Sequence, residues 1–336
     1  MILHDPQTAG LIPAIKETGA AVVWRCHIGL DEPNDNARRA WEFLRGYVEQ
    51  ADAYVFSRDA FVWEDLDRDR GSIIAPSIDA FAPKNQDLDD ETVDAILAHA
   101  GIVDAPAKGD PPEFTRMDGS SGAIEHEAEL LEERRLQPDD RYVLQVSRWD
   151  RLKDPLGVIQ GFADHVEGAH LVYAGPAVDD FADDPEGAEV LEEARELWHS
   201  LPDDARARIH LATLPMDDLD ENAAIVNALQ RRAAIVVQKS LAEGFGLTVA
   251  EAMWKGRPVV ASRIGGIQDQ IEDGRCGVLL DDPHDLEAYG DAVSQLLDDP
   301  DRAAEIGANA RERVKDRVLG TESLLHYLNL IEPLTR

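Results

Sequence analysis

Short apolar runs alternate with amphipathic stretches along almost the whole chain, and this alternation restricts its fold more than any single motif. "MIL", "AAVVWRC", "DAYVFS" and "GSIIAPS" come first; "YVLQVS", "HLVYAG", "RIHLAT", "AIVVQKS", "RPVVAS" and "CGVLL" follow Gln137. These read as strands. Between them lie helix-period segments such as "NARRAWEFLRGYVEQA", "PLGVIQGFADHV", "GAEVLEEARELWHSL" and "ENAAIVNALQRRA", while "DRAAEIGANARERVKDRV" and "TESLLHYLNLIEPL" read as closing helices. Strands and helices in turn call for parallel sheets covered on both faces, because a parallel crossover needs a helix-length connection. The 336 residues leave room for two such lobes, at about 150 residues each. The interval 82–140 is polar and rich in Asp, Pro and Gly around "AKGDPPEFTRMDGSSG", and reads as helix plus loop joining them. The lobes are unequal: about six strands make the second and about four the first. The first opens at Met1 on an apolar strand, which leaves a bare neighbouring position in a parallel sheet, so a further upstream segment is expected.

Charge excludes partners without choosing one. The formal net charge is −34 and the pI near 4.5, whereas nucleic acid or an anionic membrane would need a basic face. Only seven residues are Lys (16, 84, 108, 153, 239, 255 and 315), so 26 of the 33 basic residues are Arg. Acid spread along the chain with Lys this scarce reads as adaptation to high salt, where self-repulsion is screened. An ordinary acidic soluble protein is the plainer alternative. No apolar run approaches the roughly 18 residues of a membrane span, and "MILHDPQTAG" has neither a basic nor a long apolar leader region. Cys26 and Cys276 stand far apart without metal or redox spacing, which fits a reducing cytoplasm.

Two stretches carry candidate chemistry. In "EGFGLTVAE", Glu243 and Glu251 would stand about 12 Å apart on one helix, too far to share a proton. The glycines disfavour a helix through "GFG". A helix starting near Leu247 or Thr248, running to Lys255 and stopped by Gly256 and Pro258, fits better. Glu243 is then left in the loop and Glu251 falls in the first turn. The amides of Gly246, Leu247 and Thr248 point outward as an anion site. The alternative is a glycine turn with Glu251 complementing the helix dipole. In "VSRWDRLKDP", Arg148 and Lys153 follow a strand and precede a helix beginning near Pro155. Two such cations can neutralise a diphosphate without a bound metal, in the crevice where doubly wound sheets bind ligands. A solvated basic turn balancing Asp150 and Asp154 is the structural alternative.

Arg148, Lys153, the E-x7-E spacing of Glu243 and Glu251, and "GRPVVASRIGGIQDQI" together resemble the nucleotide-sugar lobe of retaining GT-B glycosyltransferases of family 4. Within that family the chain is similar to the trehalose glycosyltransferring synthases over most of residues 2–280. The segments that carry this are "HDPQTAGLIP", "VVWRCHIGLDEPN", "WEFLRGYV", "IIAPSIDAFAPKNQ", "LQVSRWDRLKDPLGV" and "NALQRRAAIVVQKSLAEGFGLTVAEAMWKGRPVVAS". The resemblance implies an α/β fold of GT-B type, with two Rossmann-like doubly wound lobes, the first incomplete. Residues 1–135 would be a partial acceptor-side lobe with linker, 136–315 the nucleotide-sugar lobe, and 316–336 a C-terminal helix packing back on the first.

It also implies roles. Arg148 and Lys153 would hold the donor diphosphate and stabilise its charge as the sugar bond breaks, assisted by the amides of Leu247 and Thr248. Glu251 would accept from the ribose hydroxyls, and Glu243, with Gly244, Phe245 and Gly246, would touch the donor glucose. His27, at the end of a first-lobe strand, matches a His facing that sugar across the cleft; His4 and Asp5 would lie on the acceptor side. A His27 without a role and a simple Asp–Pro turn are the structural alternatives. The implied reaction moves glucose from an NDP-glucose to the anomeric hydroxyl of glucose, giving α,α-trehalose with retention, or splits trehalose with NDP in reverse. The nucleotide sugar is a substrate; no cofactor and no metal are implied.

Two other readings stay open: a trehalose phosphorylase using phosphate in place of NDP, and a non-catalytic nucleotide-sugar-binding fragment. The family's first lobe is longer, and Met1 falls just before "HDPQ". A start read too late, a complementing N-terminal chain and a remnant without catalysis each account for that. A homo-oligomer is equally open. Base contacts are expected from "YAGPAVDD" and "HLATLPMDD". Trp24, Trp41 and Trp63 read as core, "DLDDETVD" and "LLDDPDRAAE" as solvated faces without calcium-loop spacing, and His126, His165 and His284 as lacking zinc spacing.

Overall fold

The computed structural model describes residues 1–107, 109–178 and 185–335. Every run read as a strand forms one. The first sheet holds four parallel strands in sequence order, β1 (Ile2–His4), β2 (Val23–Cys26), β3 (Ala53–Phe56) and β4 (Gly71–Ile73). The helix Asp35–Val48 connects β2 to β3, its first turn capped by Asn34, whose side chain accepts from the Ala37 amide at 2.9 Å. Trp24, Trp63 and the partly buried Trp41 fill the core beneath it. Trp41 stacks on Trp63 at 5.5 Å between centroids, and Trp24 meets Trp63 edge-on at 5.1 Å.

The interval 82–140 contains the expected helix, Asp90–His99, but it is more than linker. It also forms a hairpin, β5 (Glu113–Thr115) with β6 (Ser121–Ala123), and an edge strand, β7 (Glu129–Leu131). The remaining strands are β8 (Tyr142–Val146), β9 (His170–Pro176), β10 (Ile209–Leu214), β11 (Ile235–Gln238), β12 (Val259–Ser262) and β13 (Val278–Leu280). They join β7 in a seven-stranded sheet of order β13-β12-β11-β8-β9-β10-β7, parallel except for β7. Val93, Ile96, Phe114 and Leu136 share a core with Leu144, Val236 and Val259, so this interval packs with the second sheet. Its three-residue strands EFT, SGA and ELL are too short and polar to leave an apolar run.

The winding reverses between β8 and β11, and ligands of doubly wound sheets bind at such a switch point. The chain crosses between lobes twice at one place. Ile78 bridges Leu319, the Ile78 amide donating to Val318 at 2.9 Å and the Gly320 amide to Ile78 at 3.2 Å. The helix Gly320–Ile331 and the turn after it then lay Tyr327, Leu330 and Leu334 against Val23, Val55 and Ile74 of the first sheet. Among the described residues no helix is long and apolar enough to cross a membrane.

At the other end of the second sheet, His170 of β9 meets His210 of β10, Nδ1 to Nε2 at 2.9 Å, and His210 Nδ1 reaches Glu132 at 2.8 Å. Burial, and then His210, push the His170 pKa down to about 4. The folded state therefore holds a neutral ring that the unfolded chain would protonate from its ordinary 6.5 downward. Its contribution to stability is complete above 6.5 and is lost as the pH falls toward 4. A proton NMR titration is expected to find the His170 ring neutral down to about pH 5, and a midpoint near 6.5 would refute this account.

Candidate active site

Strand β8 ends at Val146, and the next residues turn back into the helix Pro155–His165. Asp150 caps the 3-10 turn Arg151–Lys153 by accepting from the Leu152 amide at 2.8 Å. Asp154 takes the left-handed conformation at φ 52° and caps the following helix through the Gly157 amide at 3.1 Å. Beneath this turn lies Lys239, wholly buried, its ammonium on the Asp154 carboxylate. Gln145 donates to the Lys153 carbonyl at 2.8 Å and accepts from the Lys239 amide at 3.2 Å, and the Leu241 amide donates to Leu152 at 2.8 Å. The loops after β8 and β11 are thus knitted together across the switch point. As a result Lys153 Nζ stands 2.5 Å from Glu243 Oε2, while the Gly244 amide donates to Oε1 at 3.1 Å. The sequence gives these two residues different partners; the structure joins them in one ion pair.

Gly246 follows at φ 83°, a backbone that costs most side chains energy, and starts the helix Leu247–Trp254; Gly256 at φ 69° comes just past its end. These limits agree with the spacing. Glu251 does not fall in the first turn, however. It is the fifth helical residue, so no acid complements the dipole there. Among the described residues no hydrogen bond uses the amides of Gly246, Leu247 or Thr248, which leaves them available to an anion. Glu251 is 8% exposed, and the Lys84 ammonium stands 3.8 Å from its carboxylate. Burial raises its pKa against the pull of Lys84 and Lys255. Lys255 is buried too and pushed down to about 7 by desolvation, with Glu251 opposing. Its ammonium donates to Asn85 Oδ1 and to the Glu251 carbonyl, both at 3.2 Å.

The facing wall belongs to the first lobe. His27, just past β2, is half-buried; its Nε2 lies 3.1 Å from His4 Nδ1 and the two rings stack at 5.3 Å. Its amide donates to Asp5 Oδ1 at 2.7 Å, with Asp5 itself at φ 63°. Burial, then the neighbouring Arg25 charge, lowers the His27 pKa, Asp5 opposing, so the ring is neutral at pH 7. A cavity of about 520 Å³ between the lobes brings together Arg25, His27, Glu243, Phe245, Leu247 and Tyr327. A second, of about 380 Å³, is lined by Lys84, Arg148, Trp149, Gly175, Met216 and Thr248. Arg148 is largely exposed and pairs with Asp150 at 2.9 Å. Of the loops expected to contact a base, Val178 and Met216 reach this cavity; Asp179 and Asp180 lie outside the described residues.

A clasp that the sequence reading missed holds the walls in register. Arg58 of the first lobe donates to the Gly265 carbonyl at 2.7 Å and pairs with Asp31 and with Asp269, the latter at 2.9 Å. Asp31 accepts from the Gly265 amide at 2.8 Å. The Gly266 amide in turn donates to Gly244 at 2.8 Å. Asp31 and Arg58 sit in unrelated first-lobe loops, and only their meeting in space reveals them. Lys84 and Lys255 were missed as well; Lys scarcity, and the place of Lys84 within "FAPKNQ", were the available signals.

Residues 127–313 match the family described as glycosyl transferases group 1, and residues 1–63 match the trehalose synthase N-terminal domain. A trehalose synthase of Pyrococcus horikoshii is 33% identical over 99% of this chain and 69% of its own length. A trehalose phosphorylase of Pleurotus pulmonarius is 26% identical over 95% of this chain and 42% of its own. Among solved structures, Anabaena HepE in complex with UDP and glucose superposes with a TM-score of 0.70 at 16% identity, covering 99% of this chain and 77% of that one.

Gly265 supplies a test of the site's construction. At φ 47°, a Cβ there would fall 1.8 Å from the Glu243 carbonyl oxygen. Gly265→Ala is expected to lower the unfolding free energy by about 2 kcal/mol or more. Urea unfolding measures this, and an unchanged midpoint would mean that the turn can shift without penalty.

Proposed function

The chain belongs to the glycosyl transferases group 1 and stands there with the trehalose synthases, and from that premise we propose that it is a retaining transferase moving glucose from an NDP-glucose to free glucose, reversibly, to form α,α-trehalose. One observation carries the reading: Lys153 and Glu243 are paired at the switch point, beside an open helix start and across a cavity from His27. In this reading the neighbouring cavity, with Arg148 and Thr248 on its wall, would take the nucleotide.

In this reading Arg148 and Lys153 take the diphosphate, with the amides of Gly246, Leu247 and Thr248 as further donors. Phosphate oxygens entering here would share Lys153 with Glu243. Glu243 is held by an ammonium and by its neighbour's amide, and that suits it to accept from sugar hydroxyls better than to attack carbon. Glu251 accepts from the ribose. As the bond from the sugar C1 to the phosphate oxygen breaks, the acceptor oxygen bonds to C1 on the same face. The acceptor's proton passes to the departing phosphate oxygen, and NDP and trehalose leave. The cations stabilise the charge that builds on the leaving group. A neutral His27 donates or accepts at a sugar hydroxyl without adding charge near the developing oxocarbenium. Lobe closure excludes water that would hydrolyse the donor.

The formal charge of −34 makes high salt the condition to try first. Incubation with uridine-, adenosine- or guanosine-diphosphoglucose plus glucose is expected to yield a disaccharide whose NMR spectrum contains only α anomeric protons. Arg148→Ala and Lys153→Ala should each lower kcat/KM by about a hundredfold or more. Folded protein that makes no trehalose would overturn the catalytic reading in favour of a binding fragment. Trehalose cleavage supported by phosphate and not by NDP would favour phosphorolysis instead.

A further inference from the structure

The segment that joins the lobes carries a lysine to the nucleotide-side cavity and is clamped as it does so. Asn227 Nδ2 donates to the carbonyls of Pro83 at 3.0 Å and Gln86 at 2.9 Å, and Arg231 donates to Gln86 at 2.8 Å. From the other side, the Trp254 indole donates to the Asn85 carbonyl at 3.0 Å and Lys255 to the Asn85 side chain at 3.2 Å. Asn85 is 3% exposed. Lys84 therefore leaves a fixed backbone, lines the cavity beside Arg148 and Thr248, and ends 3.8 Å from Glu251 Oε1.

That separation exceeds hydrogen-bond reach. Among the described residues no hydrogen bond reaches the Glu251 carboxylate, although it is 8% exposed. A carboxylate this enclosed favours a hydrogen-bonding partner from the cavity side. Here it lies next to a 40% exposed ammonium, where Lys84 and Thr248 line an open cavity. Two adjacent hydroxyls satisfy both groups: each O–H donates to the carboxylate, and one hydroxyl oxygen accepts from the ammonium. We propose that Lys84 is a nucleotide-binding residue, contributed by the inter-lobe segment, which works with Glu251 to recognise the cis-diol of the donor's ribose. The assignment rests on the donor reading above and adds to it a residue from outside the sheet's strand-end loops. It makes the nucleotide a ligand of the connection between the lobes as well as of the second lobe.

Isothermal titration of the full chain with the diphosphates of uridine, adenosine and guanosine, and with their 2′-deoxy forms, tests this. For the diphosphate that binds best, Lys84→Met is expected to raise Kd about tenfold, the loss of one charge-assisted hydrogen bond. It should also shrink the preference for the ribo over the deoxy form, while Lys84→Arg retains most of both. Thermal unfolding of each variant checks that the fold is intact. A Kd within about threefold of the unaltered chain's, with the ribo preference kept, would overturn the role of Lys84 and leave the donor reading standing. If the unaltered chain binds none of the diphosphates, the donor reading and this inference fall together.

Discussion

An ion pair built on a wholly buried lysine holds the two halves of the site in place. Lys239 follows β11 and Asp154 follows β8, on either side of the switch point. Burying the ammonium is expensive, and removing Asp154 would leave that charge uncompensated. Around the pair, Gln145 and the Leu152–Leu241 backbone contact tie down the same two loops. Lys153 precedes Asp154 and Glu243 lies four residues beyond Lys239, so the geometry of the outer pair descends from the inner one. The inner carboxylate also caps a helix from a left-handed backbone. One side chain thus sets a turn, starts a helix and neutralises a buried ammonium.

Much of the scaffold was readable because strands buried on both faces carry near-continuous apolar runs, as residues 142–144 and 235–237 do. The helix from Leu247 was readable because Gly246 and Gly256 bracket it with positive φ. What escaped had no local signature. The strands β5 to β7 gain their stability from pairing and from a shared core. Glu251 falls one residue beyond the first turn because the helix begins at Leu247, the earlier of the two starts that the spacing allows. Lys153 with Glu243, and Asp31 with Arg58 and Gly265, are contacts between residues far apart in the chain. No window of sequence contains both members.

Lysine is scarce here, and its distribution is uneven. Lys84, Lys153, Lys239 and Lys255 all lie at or under the candidate site. Lys16 and Lys315 make surface pairs with Asp52 and Glu312. Elsewhere the cationic partners of the acidic surface are arginines, whose forked guanidinium suits exposed carboxylates. A compact ammonium suits the crowded interior better, where three donors on one atom can serve a carboxylate and a carbonyl together.

The bridge between Ile78 and Leu319 has a consequence for the order of assembly. It closes a loop of roughly 240 residues, and closure entropy for so long a loop grows only logarithmically but must be met before any contact beyond it forms. The helix that supplies Tyr327 and Leu330 to the first sheet begins just past this bridge. It can reach Val55 and Ile74 at high local concentration only after the second lobe has condensed and brought Leu319 beside Ile78. The first sheet, although it precedes the second along the chain, would be the last to have that face covered.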